Sequence, residues 1–374
     1  MMILSLSFLA VASAFVGRAP LGHRARPRHA AEDAEDLEQM VQRKQYEVVQ
    51  LEQAHARKDD PLRVRLGYAA DEGCTNLTRA LRRYRMTDDV QRIAVVADLK
   101  RMSPTAAGLP RAVAEVADMG ALADAVAAWP VDAVMINTDG FSYGGSADDL
   151  RRACQLLRQA PRPQFVAREL DLLARSADVD VAAGRDPSGS WTGAAAAPPP
   201  PPPSDEEDPT RPPTLCPVIM KDIVLHPLQV AQAAEAGACA VYLIACVVGA
   251  QLESLLGYAT VMGLEAIVEV HTPEEVAFAV SVGATVIAVN NWDRTKNELH
   301  LNQAAGLRKF IPDNIVTIAT GSLVDAEQVK RLQSAGFDAV ILGRSLVRED
   351  SRELVATLRA RELLRVPAAN LGGF

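Results

Sequence analysis

From Arg92 onward the chain repeats one unit: a short β-branched apolar run, a polar break, then a stretch with apolar residues at helical spacing. That alternation is the signature of βαβ units, which build a parallel sheet with helices packed on it. Eight such runs fall at 93–97, 133–137, 217–220, 240–245, 266–270, 285–290, 315–319 and 339–342. Amphipathic stretches at 227–236, 251–262, 273–282 and 325–335 separate several of them. Gly237, Gly263, Gly283 and Gly336 each stand shortly before a run, where a left-handed residue would end a helix. Eight units with no GxGxxG after a run predict a closed (β/α)8 barrel rather than a Rossmann sheet. An open doubly wound sheet also fits the pattern taken alone.

The remaining segments read differently. Residues 1–32 have a targeting composition: an apolar stretch ending Ala12-Ser13-Ala14, then Phe15 and Arg18, Arg24, Arg26 and Arg28, with no acid before Glu32. This order predicts a bipartite plastid address, a signal peptide followed by a transit peptide, with the stroma as destination; an ordinary secretory signal is the plainer alternative. Residues 33–91 form a helical extension, with Leu37, Met40, Val41, Val48, Val49 and Leu51 at helical spacings in its first part. That first helix is expected to cover either the barrel bottom or the mouth of the site. Residues 92–374 are the barrel, interrupted at about 160–214 between units two and three by a stretch holding Pro198 to Pro203 and the acidic run Asp205 to Asp208. Polyproline lacks donors for a sheet and resists helix, so a solvated insertion is expected.

Composition narrows the function. The apolar fraction of 49% can fill a barrel core, and a net charge of −8 argues against a nucleic-acid surface, which needs clustered Lys and Arg. The apolar start is too short to span a bilayer, so the mature chain is expected to have no membrane partner. Cys74, Cys154, Cys216, Cys239 and Cys246 show no CxxC pair and no zinc spacing, and reduced, buried thiols are expected. No metal is predicted, and no Ser–His–Asp arrangement is readable.

In a barrel, chemistry sits at the carboxyl ends of the strands. Here those ends are polar: Asp98 and Lys100 with Ser103 after run one, Asn137 after run two, and Lys221-Asp222 after run three. Glu269 and His271 follow in run five, Asn290-Asn291 in run six, Thr320-Gly321-Ser322 in run seven and Gly343-Arg344-Ser345 in run eight. Two lysines and two carboxylates on converging strand ends suit acid–base work on an amine or carbonyl. The glycine-containing ends of runs seven and eight offer backbone N–H groups for a phosphate. The plain alternatives are that Lys100 and Lys221 are rim lysines paired with Asp98 and Asp222, and that Asn290 or Asn291 caps the following loop. His271 reads as a structural hydrogen-bonder and Cys246 as a small apolar residue.

From about Asp36 to the carboxyl end, leaving out the proline-rich stretch, the chain resembles the indole-3-glycerol phosphate synthases. The family's A-E-I-K-x-x-S-P-S appears as Ala97-Asp98-Leu99-Lys100-Arg101-Met102-Ser103-Pro104-Thr105. Its R-K-D-F and D-P-x-Q appear as Met220-Lys221-Asp222-Ile223 and His226-Pro227-Leu228-Gln229, its V-E-V-H as Val268 to His271, and its I-N-N as Val289-Asn290-Asn291. The resemblance implies a cofactor-independent lyase that closes the ring of carboxyphenylaminodeoxyribulose phosphate, a small phosphorylated substrate, with loss of carbon dioxide and water. It implies Lys221 as general acid, Lys100 as the group holding the anionic substrate, and Glu269 as base or as stabiliser of cationic intermediates. Asp98 takes the place of the family's Glu, Asn290 orients the substrate or neighbouring catalytic groups, and Ser103, Gly321, Ser322, Gly343, Arg344 and Ser345 bind the substrate and its phosphate.

The departures are local. Ala319-Thr320-Gly321-Ser322 stands for S-E-S-G, Trp292 for the Arg of I-N-N-R-D, Ile223 for Phe, and Arg344 for the Glu of G-E-S-L. Asp98 is one methylene shorter than Glu, which predicts a carboxylate short of its fixed partner. Arg344 is expected to replace lost phosphate contacts. Two other readings stay open: a related barrel acting on another phosphorylated sugar or amine, and a catalytically weak barrel serving as a scaffold.

Overall fold

The computed structural model describes residues 36–67, 76–86, 93–103, 116–127, 131–159 and 216–347. Residues 1–32, where a targeting segment is expected, and the proline-rich stretch lie outside them. Every apolar run is a strand of one parallel sheet: β1 (Ala94–Leu99), β2 (Ala133–Asn137), β3 (Val218–Lys221), β4 (Ala240–Ile244), β5 (Glu265–Val270), β6 (Val286–Asn290), β7 (Val316–Thr320) and β8 (Ala339–Leu342). Neighbours in sequence are neighbours in the sheet, and β1 pairs with β8 from Ala94↔Ala339 to Ala97↔Leu342, so the barrel is closed and the open-sheet alternative is removed. β1 extends past the expected run because Asp98 and Leu99 still pair with Met135 and Ile136 of β2.

The strands are apolar along nearly their whole length because both faces are buried. One face, with Val95, Ala97, Val134, Val241, Val268 and Val340, packs under the helices. The other, with Ala94, Val96, Met135, Ile219, Tyr242, Ile267, Ala288 and Ile318, fills the barrel. The helices between strands begin and end on local chemistry. Thr272 accepts from the Glu275 N–H at 3.2 Å to start Pro273–Ser281, and Gly237 at φ +87° ends Pro227–Ala236.

The amino-terminal extension closes the barrel from both ends. Helix α1 (Leu37–Ala54), with Asp36 as its N-cap, lies at the carboxyl ends of the strands. Its buried Lys44 reaches Asp139 Oδ2 at 2.9 Å and Asp222 Oδ1 at 2.8 Å, and Arg43 donates to Asp139 and Ser142. Burial opposes the Lys44 charge, but Asp222 and Asp139 outweigh it and raise the ammonium above its ordinary range. A short helix α2 (Pro61–Arg65) follows, capped by Asp60. Helix α3 (Asn76–Met86) plugs the opposite end: Leu77 and Leu81 join the interior cluster, and the Leu77 and Thr78 N–H groups donate to Glu265, the first residue of β5. Of the two positions expected for the first helix, it takes the mouth, while α3 takes the bottom. Among the described residues no helix is long and apolar enough to cross a membrane.

Candidate active site

Side chains alternate along a strand, so the parity that points Ala94 and Val96 inward also points Asp98 inward. The same parity aims Asn137, Lys221, Tyr242, Glu269, Asn290 and Thr320 into the barrel, most of them in its last layer before the carboxyl mouth. Two charge clusters result.

The first lies on β1 to β3. Asp98 Oδ2 accepts from Lys100 Nζ at 2.8 Å and from Lys221 Nζ at 3.1 Å, while Oδ1 accepts from Asn137 Nδ2 at 2.7 Å. The shorter aspartate is therefore fully partnered, contrary to the expectation from its length; the two lysines come to it. Burial pushes the Asp98 carboxyl up, but the two ammonium groups outweigh it and hold the acid well below its ordinary range. Both lysines thus share Asp98. Asp222 is not the partner of Lys221: it accepts from Thr138 Oγ1 at 2.7 Å and pairs with Lys44. Gly343 closes this cluster from β8, where an added Cβ would stand 3.3 Å from Asp98 Oδ2 and 3.5 Å from Lys100 Nζ.

The second cluster lies on β4 to β6. Glu269, fully buried, accepts from Tyr242 Oη at 2.6 Å and is clasped on both carboxylate oxygens by Arg294, through Nε and, at 3.1 Å, Nη2. His271 Nε2 lies 3.1 Å from Glu269 Oε1, a charge contact in which the ring N–H is not well aimed at the oxygen. Burial raises the Glu269 carboxyl, yet Arg294 and His271 hold it well below the usual carboxylate range, and burial with Glu269 beside it drives the Tyr242 phenol far up.

Two tyrosines bridge the clusters. The Lys221 ammonium stands 5.2 Å from the Tyr242 ring centroid, and Lys100 stands 5.8 Å from that of Tyr143, whose hydroxyl also lies 3.4 Å from Arg294 Nη1. Both ring distances lie within cation–π range.

The remaining expected residues divide. Asn290 Oδ1 accepts from the Trp292 N–H at 3.0 Å, so its amide caps the turn after β6, as the plain reading held. Gly321, at φ +92°, packs against that turn; a Cβ there would come within 2.4 Å of Asn290 Oδ1. Ser322 is exposed at φ 54°, and Ser103 and Ser345 are buried, the Ser345 hydroxyl without a hydrogen bond. Burial lowers the Arg344 guanidinium. Sequence reasoning missed Arg294, Tyr143 and Tyr242 as site residues, and marked Asn137 as a polar strand end without giving it a role. For Tyr242 and Asn137 the inward strand parity was the available signal. Arg294 was hidden because it stands two places beyond Trp292, where the family's arginine would be. Among the described residues one group of side chains is also close enough to hold a metal ion, Cys246 with His271 and Glu275, although no sequence spacing announced it.

Comparison with known proteins agrees with this geometry. The profile of the family described as indole-3-glycerol phosphate synthase matches residues 211–358. The chain is 33% identical over 147 residues to the indole-3-glycerol phosphate synthase of Lacticaseibacillus paracasei, covering 39% of this chain and 56% of that protein. It is 40% identical over 146 residues to the one from Kineococcus radiotolerans, covering 38% and 53%. The chain thus spans about half the length of these curated relatives. To the indole-3-glycerol phosphate synthase of Lactiplantibacillus plantarum it is 35% identical over 208 residues, 55% of this chain and 78% of that protein. With a closed barrel, the strand-end lysines and Glu269 in place, and more than two thirds of a relative matched at this identity, the chain belongs to the indole-3-glycerol phosphate synthase family.

Proposed function

We propose that the chain is a lyase of tryptophan biosynthesis that converts carboxyphenylaminodeoxyribulose phosphate to indole-3-glycerol phosphate. The observation that carries this reading is the Asp98 carboxylate held between Lys100 and Lys221. Ring closure needs a proton delivered to a carbonyl oxygen while an aromatic carbon attacks it. Lys221, paired with Asp98 and standing over the Tyr242 face, supplies that proton. Lys100, the less buried of the two, holds the anionic part of the substrate. Glu269 is ionised, dry and clasped by Arg294, a poor proton acceptor but a fixed negative charge. Its role is accordingly to stabilise the cationic intermediate that precedes loss of carbon dioxide and water. The phosphate goes to the ends of β7 and β8, where Gly343 and Ser345 stand, with Arg344 as the cation. The plastid destination read in residues 1–32 belongs to the same proposal and is supported by their composition.

The test is to supply the full chain with this substrate and no added cofactor, and to follow indole fluorescence. Product formation that disappears in Lys221→Ala and falls steeply in Glu269→Gln supports the assignment. Unchanged turnover in Lys221→Ala, or no turnover by the intact chain, rejects it.

A further inference from the structure

Cys246, in the short helix that follows β4, His271, just past β5, and Glu275, in the helix Pro273–Ser281, are 25 and 4 residues apart in sequence and meet at one point beside the barrel mouth. The sulfur, a ring nitrogen and a carboxylate oxygen all lie within 4.8 Å of one another. His271 Nδ1 is 3.3 Å from Glu275 Oε2. Bonds of about 2.0 Å from nitrogen and oxygen to a tetrahedral ion put those two atoms about 3.3 Å apart, so this edge of the tetrahedron is already set. Glu275 Oε2 is itself fixed by the His271 backbone N–H at 2.7 Å. On the far side of the ring, His271 Nε2 faces Glu269 Oε1 at 3.1 Å. Metal-bound imidazoles commonly turn their second nitrogen to a carboxylate in this way, which fixes the tautomer and strengthens the ligand.

We propose that Cys246, His271 Nδ1 and Glu275 form a binding site for a borderline-soft divalent metal ion, zinc being the best match. Thiolate, imidazole and carboxylate together select such an ion over magnesium or calcium, and three protein ligands leave a fourth position open. A bound ion takes the place of the Cys246 thiol proton and of any proton on Nδ1, and leaves Nε2 as the ring nitrogen beside Glu269. The ligands are not the lysines of the first cluster, and although His271 touches Glu269, metal binding can be read apart from turnover.

Cobalt(II) tests this with a readout separate from turnover. Titrating the full chain with Co2+ is expected to give one equivalent bound, with tetrahedral visible bands and a thiolate-to-cobalt absorption in the near ultraviolet, displaced by Zn2+. Cys246→Ser, which preserves shape, removes the thiolate absorption. Glu275→Gln, at a half-buried helix position, weakens binding tenfold or more while circular dichroism stays unchanged. Absence of the thiolate band in the intact chain overturns the proposal. So does its persistence in Cys246→Ser, which would assign the sulfur to another cysteine.

Discussion

The Tyr242 hydroxyl donates to Glu269 Oε2 at 2.6 Å while the same ring carries the Lys221 ammonium 5.2 Å from its centroid. One phenol therefore touches both charge clusters, fixing the anion through its edge and the cation through its face. Tyr242→Phe keeps the ring and removes only the donor. A single hydrogen bond to a charged acceptor contributes about 1.5–3 kcal/mol. The expected result is a kcat about tenfold or more below the parent with KM within about twofold, measured by indole fluorescence. A loss confined to KM would contradict this placement.

Asp98 makes the first cluster sensitive to acid in a definite direction. Its folded pKa is depressed, so the stability it contributes is complete above its unfolded value of about 3.9 and is lost as pH falls through the folded value. At pH 7, Asp98→Asn leaves Lys100 and Lys221 buried without their counter-charge, a cost of about 3–5 kcal/mol. The gap between parent and variant in urea unfolding is expected to narrow below about pH 4, where the unfolded parent takes up a proton at Asp98 that the folded chain still refuses. A gap that is constant from pH 7 to pH 3 would mean that Asp98 carries no charge-dependent stability.

Arg294 and Glu269 should behave as one unit, because Glu269 is fully buried, the Arg294 side chain is largely covered, and each is the other's main charge partner. Arg294→Gln and Glu269→Gln are each expected to destabilise by about 3 kcal/mol, and the double variant by much less than the sum. Arg294→Lys is not a conservative change here, since an ammonium cannot clasp both carboxylate oxygens. A double-mutant cycle by chemical denaturation measures the coupling; additivity would dissolve the pair.

Lys44 secures α1 over the barrel mouth through Asp139 and Asp222. Lys44→Ala leaves those two acids facing each other, and burial already pushes Asp222 up. Faster amide exchange across residues 37–54 is expected, with exchange in β1 to β8 little changed. Protection of α1 equal to the parent's would show that Arg43 and the apolar face hold the helix without Lys44.

Much of the site was legible because strand parity is strict. Once Val96 is inward, Asp98 must be, and the spacing of Lys221 and Glu269 from their own core residues repeats the rule. The fold was legible for the same reason, since continuous apolar runs are what doubly buried parallel strands require. What could not be read comes from loops and from contacts across the barrel. Arg294 reaches Glu269 from a short antiparallel ribbon, Trp292–Asp293 with Glu298–Leu299, whose curl has no period to betray it. The meeting of Cys246 with His271 and Glu275 depends on how a helix start and two neighbouring strand ends converge, which sequence spacing does not encode. Which end of the barrel α1 would cover turned on Lys44, one lysine among many until Asp139 and Asp222 are placed beside it.

Gln159 and Cys216 mark a seam in this molecule. The stretch between them follows a helix and precedes β3 in the chain. Asp98, Lys100 and Asn137 come before the seam; Lys221, Glu269 and Arg294 come after it. The salt link from Lys221 to Asp98 is thus also a link between two halves of the chain. Were the backbone severed within that connection, neither fragment would hold a complete set of reacting groups. Two inert pieces would regain chemistry only by reassembling, so recovery of turnover on mixing them would report how well the two halves recognise each other.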